Sequence, residues 1–166
     1  MTNIVLCGMM GSGKSTVSEA IERLYGLKRV DTDEVIVSRY GGINKIFSEK
    51  GEECFRDIES SVIKSICESA ESMVVSLGGG AVLRESNVKI LKSAGKIFYL
   101  RARPETLIAR LQGDDMRPLL RGDLSSKINS LLGVRAPIYE KAADIVVDTD
   151  GLSPEAIAKI IMEHLK

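Results

Sequence analysis

The sequence predicts an α/β protein in which five short parallel strands form one sheet with helices on both faces. Three observations predict it. Nearly uninterrupted apolar runs rich in β-branched residues alternate with segments of helical period, as strands buried on both faces require. The first run, Ile4-Val5-Leu6, opens onto a glycine-bounded loop and then a helical period at Val17, Ala20, Ile21 and Leu24. Polar or glycine clusters follow three of the runs, where parallel sheets bind ligands, at the carboxyl ends of their strands.

In order, the first strand breaks at Gly8 and its helix ends at Gly26. Leu27 to Val30 is expected as a second strand, closed by Asp31-Thr32-Asp33. Residues 34–40 and 43–50 are expected as two short helices separated by Gly41-Gly42. Gly51 punctuates, and Glu52 to Glu71 carries Phe55, Ile58, Val62, Ile63 and Ile66 at helical spacing. Met73 to Leu77 is a β-branched run ending in Gly78-Gly79-Gly80, followed by a helix at 85–93 and a strand at 97–100. Pro104 suits the first position of a helix through Leu111. Gly113 to Asp123 is polar and expected to be a mobile loop; Leu124 to Lys141 is helical with Pro137 interrupting it. Ile145 to Val147 supplies the fifth strand, and Ser153-Pro154 caps a last helix with Ile157, Ile160, Ile161 and Leu165 on its apolar face.

The 166 residues make one domain, 1–166, with no internal repeat, low-complexity tract or linker. Apolar residues are 44% and aromatic residues 4%, so the core must be aliphatic. Lys+Arg and Asp+Glu balance at 23 each, which argues against a nucleic-acid partner held by bulk charge and makes any anion site local. No stretch is apolar enough for a membrane span and no leader is recognised, so a cytoplasmic protein is expected; no exposed apolar stripe demands a partner, so a monomer is expected. Cys7, Cys54 and Cys67 have no metal or redox spacing and are expected as neutral thiols.

Gly8 to Ser15 matches G-x-x-x-x-G-K-[ST] at every fixed position, in the strand–loop–helix context that a phosphate-binding loop requires. Its backbone N–H groups and the helix N-terminus cradle an anion, Lys14 is placed for β- and γ-phosphate oxygens, and Ser15 for Mg²⁺. Asp31 and Asp33 can hold Mg²⁺ and accept bonds from substrate hydroxyls; they equally suit a helix N-cap and its first turn. Arg56 and Glu59, three apart on a helix, form either a surface ion pair or a braced carboxylate clamp. The triple glycine admits either a flat ligand or a plain turn. Arg117 on the loop can swing over phosphates, Arg110 can pack on an adenine face, and Arg135 lies just before the proline break. Asn44-Lys45-Ile46-Phe47 lacks the Asp of a guanine-reading motif. His164 is expected to be a solvated helix-end residue.

Taken together, Gly8–Thr16, Asp31-Thr32-Asp33, Phe55-Arg56 with Glu59, Gly78-Gly79-Gly80, Arg117-Pro118-Leu119-Leu120 and Arg135 with Tyr139 resemble the shikimate kinase family over essentially the whole chain. The resemblance implies a P-loop NTPase fold of the nucleoside-monophosphate-kinase type, with three α/β/α layers, a mobile lid at about 113–123 and a substrate-binding helical region at about 33–60. It implies γ-phosphoryl transfer from ATP to the 3-hydroxyl of shikimate, on the way to chorismate and the aromatic amino acids. Gly11, Ser12, Gly13, Lys14, Ser15 and Thr16 would hold ATP, with Arg110 and Pro154 flanking adenine. Lys14 and Arg117 would stabilise the transferring group, and Ser15 and Asp31 would hold Mg²⁺. Asp33, Arg56, Gly78, Gly79, Gly80 and Arg135 would bind shikimate, Asp33 orienting the hydroxyl or accepting its proton.

The residues alone favour a small, hydroxylated, anionic acceptor; the resemblance selects shikimate. Two other readings stand beside it. A gluconate- or nucleotide-type kinase would accept a different alcohol, and a nucleotide-binding switch would hydrolyse slowly whatever acceptor is added.

Overall fold

A computed structural model describes residues 2–112 and 123–166. The strands are β1 (Asn3–Cys7), β2 (Lys28–Asp31), β3 (Met73–Ser76), β4 (Gly95–Arg101) and β5 (Ile145–Asp148). All their pairings are parallel, and their order across the sheet is β2-β3-β1-β4-β5. Among the described residues the helices are α1 (Lys14–Tyr25), α2 (Thr32–Tyr40), α3 (Ile43–Cys67), α4 (Glu85–Ala94), α5 (Pro104–Leu111), α6 (Leu124–Ala142) and α7 (Pro154–Glu163), with a 3₁₀ turn at Ala81–Leu83.

The period of two along the strands builds two cores. Ile4 and Leu6 of β1 join Val74, Phe98, Leu100 and Val147 under α1 and α7. Val5 and Cys7, with Val75, Ile97 and Tyr99, face the layer that includes α3, α4, α5 and α6. Both sides of every central strand are thus covered, which is why the strands are almost continuously apolar. Burial pushes the Cys7 thiol up to about 12, so it stays a neutral core group.

Gly51 punctuates as expected: its backbone is non-helical, at φ 83° and ψ 169°, and it kinks α3 between two helical segments. Two details differ from expectation. α3 stops at Cys67 instead of Glu71, and Pro137 does not interrupt α6 but lies inside a continuous helix. A proline removes one N–H and crowds the carbonyl four residues back, here that of Gly133. Ile128, Arg135, Tyr139 and Ala142 are buried on both sides of it, and that tertiary anchoring keeps the helix going.

Register is what assembles the site. Asp31 of β2 lies beside Ser76 of β3, and Ser76 beside Leu6 of β1. The loops that leave these three neighbouring strands therefore start level with one another, at the same edge of the sheet.

Candidate active site

The loop between β1 and α1 folds as its glycines require. Gly13 has φ 95°, a left-handed conformation that a Cβ disfavours, and from it the chain enters α1. Lys14 turns back over the loop and donates from Nζ to the carbonyls of Gly8 at 2.8 Å and Met9 at 2.9 Å. Asp31 divides its carboxylate. Its Oδ1 accepts from the backbone N–H groups of Asp33 at 2.9 Å and Glu34 at 3.2 Å, capping α2, while its Oδ2 accepts from Ser15 Oγ at 3.4 Å. The two readings of Asp31, cap and ligand, thus fall on different oxygens. Ser15 Oγ and Asp31 Oδ2 are a hard-oxygen pair at the start of α1, suited to Mg²⁺.

Opposite the loop, each glycine of the triplet lies beneath functional side chains. A methyl built on Gly78 would sit 2.7 Å from Asp33 Oδ1 and 3.1 Å from Glu59 Oε2. One on Gly79 would sit 3.2 Å from Arg135 Nη1 and 3.6 Å from the Tyr139 hydroxyl, and one on Gly80 would overlap the Arg56 guanidinium. The bare backbone makes room first for the protein's own charged groups. Thr32 Oγ1 accepts from Gly78 N at 2.9 Å, and the Tyr139 hydroxyl donates to Gly79 O at 2.6 Å, so the turn is pinned from α2 and from α6.

Arg56 donates to Glu59 at 2.8 Å and packs 5.2 Å from the centroid of Phe55. Glu59 is buried, and desolvation pushes its carboxyl above the usual 4.5, opposed mainly by Arg56; nearby Asp33 raises it further and Arg135 lowers it. Burial therefore makes this more than the exposed helix pair that the spacing equally allowed. Arg135 is also buried, its guanidinium brought to the glycine turn by the unbroken α6.

A third group lies toward α5 and α7. Arg110 Nη1 donates to Gly11 O at 3.0 Å, so its head lies against the phosphate loop. Leu152, Pro154 and Ile157 line the same space. Ser153 caps α7, accepting from Ala156 N at 3.1 Å. Arg117 and most of the expected lid lie outside the described residues.

These groups share one cleft of about 1370 Å³, above the roughly 300–1,000 Å³ of a typical single-ligand pocket. Gly11 to Thr16, Asp31, Asp33, Arg56, Gly78 to Gly80, Arg110, Arg135 and Pro154 all line it. Sequence reasoning named Phe55 but missed the apolar wall that it forms with Val37, Ile43 and Phe47. Phe47 and Phe55 stack with centroids 4.7 Å apart, and only Phe55 had a motif to mark it. It also passed over Tyr139 as an actor, since a tyrosine four residues after an arginine carries no signal of its target.

A phosphate-binding loop facing a pocket of carboxylates and arginines, on a five-stranded parallel sheet, defines a P-loop small-molecule kinase. The family model for shikimate kinase matches residues 10–166. A shikimate kinase of Caldicellulosiruptor bescii is 45% identical over 168 residues, covering 99% of this chain and 96% of its own. One from Thermodesulfovibrio yellowstonii is 46% identical, covering 99% and 95%. The shikimate kinase from Acinetobacter baumannii solved in complex with shikimate superposes with a TM-score of 0.92 at 32% identity, covering 99% of this chain and 93% of that one. The chain belongs to the shikimate kinase family. It is an ATP-dependent kinase, a phosphotransferase of the shikimate pathway.

Proposed function

We propose that this cleft passes the γ-phosphoryl group of ATP to the 3-hydroxyl of shikimate, giving shikimate 3-phosphate and ADP. The observation that carries the reading is the triple glycine turn, which gathers Asp33, Arg56 and Arg135 opposite Lys14. Two arginines suit one carboxylate, and Asp33 suits a ring hydroxyl. The loop backbone from Gly11 to Thr16 holds the phosphates, and Lys14 leaves the carbonyls of Gly8 and Met9 for the β- and γ-phosphate oxygens. Lys14 and Arg117, the latter in the proposed lid at about 113–123, stabilise the transferring group. Asp33 orients the attacking hydroxyl or takes its proton; a loose transition state demands little early proton abstraction. Ser15 and Asp31 would hold Mg²⁺, which when bound neutralises phosphate charge. Arg110 and Pro154 flank the adenine.

The single domain, with residues of about 33–60 as its acceptor-binding part, is proposed to act as a cytoplasmic monomer without nucleic-acid or membrane partners. No helix among the described residues is long and apolar enough to cross a membrane. Its exposed Val37 and Phe47 belong to the cleft wall, which gives them a use other than subunit contact. Purified protein with ATP, Mg²⁺ and a panel of acceptors tests the reaction. ADP release that depends on shikimate is expected. Release with gluconate or a nucleoside monophosphate instead, or independent of any acceptor, overturns it.

A further inference from the structure

The turn between β5 and α7 carries Leu152 and Pro154 into the cleft, while α5 carries Arg110 in from another side. A side chain outside the cleft lining ties the turn to α5. Asp150 Oδ1 accepts from the Thr106 hydroxyl at 2.5 Å, and its Oδ2 accepts from the backbone N–H of Arg103 at 3.1 Å. The Arg103 guanidinium adds an ion pair, Nε lying 3.7 Å from Oδ2. Arg103 is the N-cap of α5 and offers no side-chain acceptor of its own. One of the orphan donors at the start of that helix is therefore satisfied by a carboxylate from a different loop, which also complements the helix dipole.

The far end of α5 grips the phosphate loop. Besides the Arg110 bond to Gly11 O, the Leu111 side chain approaches Gly11 so closely that a methyl there would lie 3.0 Å from its Cγ. The turn holding Asp150 is itself fastened to the sheet: Thr149 donates to Arg101 O from its backbone N–H at 2.9 Å and from its hydroxyl at 3.1 Å. So α5 is a strut with the phosphate loop at one end and the β5–α7 turn at the other. From Thr149 to Pro154, Asp150 is the one charged residue.

We propose that Asp150 is a positioning residue for the purine end of the nucleotide site, fixing the gap between Arg110 and the Leu152–Pro154 wall. It touches no substrate and acts through α5 and the turn. The proposal rests on the reading of the cleft as an ATP site. The Thr106 hydroxyl, with the Arg103 N–H and the Arg103 and Arg110 charges behind it, holds the Asp150 carboxyl below its usual 3.8, so the clamp stays ionised at neutral pH.

Calorimetric binding of ADP, with inorganic tripolyphosphate as a probe lacking the purine, tests it on the full chain. Asp150→Ala is expected to weaken ADP about tenfold, through lost preorganisation, while changing tripolyphosphate by less than about twofold. Asp150→Asn, which keeps one acceptor oxygen, falls between. Thr106→Val weakens ADP less, and the double variant Asp150→Ala/Thr106→Val is no worse than Asp150→Ala, because both act through one bond. ADP affinity unchanged in the folded variants overturns the proposal, as do equal losses for both probes or additive losses in the double variant. Should Asp150→Ala fail to fold, Thr106→Val decides: selective weakening of ADP supports the clamp and no change refutes it. If the unaltered protein binds no ADP, the ATP reading itself fails; if it binds ADP and the variants are indifferent, only the clamp does.

Discussion

Arg56 Nη1 and Glu59 Oε1 are 2.8 Å apart in a pair of which Glu59 is only 1% exposed, and the other Glu59 oxygen has no hydrogen-bond partner among the described residues. A buried carboxylate of this kind titrates with folding. Its folded value is raised above 4.5, chiefly by desolvation, so the native state binds more protons than the unfolded chain above that pH. Its contribution to stability is therefore fully present at lower pH and is lost as pH rises through the folded value. Glu59→Gln lacks this titration. In denaturant unfolding from pH 4 to 8, the stability of Glu59→Gln relative to the unaltered protein should improve with rising pH, by about 1.4 kcal/mol per unit of displacement. A pH-independent difference contradicts the burial argument.

Gly80→Ala tests the glycine turn as a seat for Arg56. The added methyl overlaps the guanidinium, which is the far end of a flexible side chain and can swing away. Stability should change little. The KM for shikimate should rise about tenfold, one charge-assisted hydrogen bond's worth, with the KM for ATP unchanged. Equal effects on both substrates would point to a general disturbance.

The divided carboxylate of Asp31 allows its two tasks to be separated. Asn remains a good N-cap, so Asp31→Asn should keep the two bonds to the start of α2 and shift Tm by only a few degrees. With its charge gone from beside Ser15, the Mg²⁺ concentration for half-maximal rate should rise by about tenfold. A Mg²⁺ titration of initial rates measures this.

Tyr139 should matter more to the acceptor than to the nucleotide. Burial raises its hydroxyl to about 12, so it remains a donor to Gly79 O throughout any practical assay range. Tyr139→Phe leaves that carbonyl without its partner and should cost about 1–3 kcal/mol of stability. The KM for shikimate should rise severalfold with little change for ATP. Steady-state kinetics varying each substrate separates the two.

Lys14→Ala removes the cation proposed to meet the transferring phosphate. A fall in kcat of about a thousandfold or more is expected, with the fold intact by circular dichroism. A variant that kept a tenth of normal turnover would remove Lys14 from the proposed chemistry.

Much of this architecture was legible in one chain because its signals are local. Runs such as Ile4-Val5-Leu6 and Met73 to Leu77 announce buried parallel strands, and Gly8 to Ser15 announces its ligand class by spacing alone. Pro137 misled for the opposite reason. Its local rule is to interrupt a helix, and burial of Arg135 and Tyr139 around it overrode the rule.

By itself, then, the sequence determined the element types, the phosphate loop and the set of charged residues available for an anionic acceptor. Tertiary structure decided which of them meet. The order β2-β3-β1 and the alignment of Asp31, Ser76 and Leu6 bring three loops far apart in sequence to one edge, and no local spacing encodes that register. The same is true of burial. Arg56 and Glu59 three residues apart are a negligible surface pair or a braced clamp depending on what covers them, and only packing against the glycine turn excludes the water that would have made them the former.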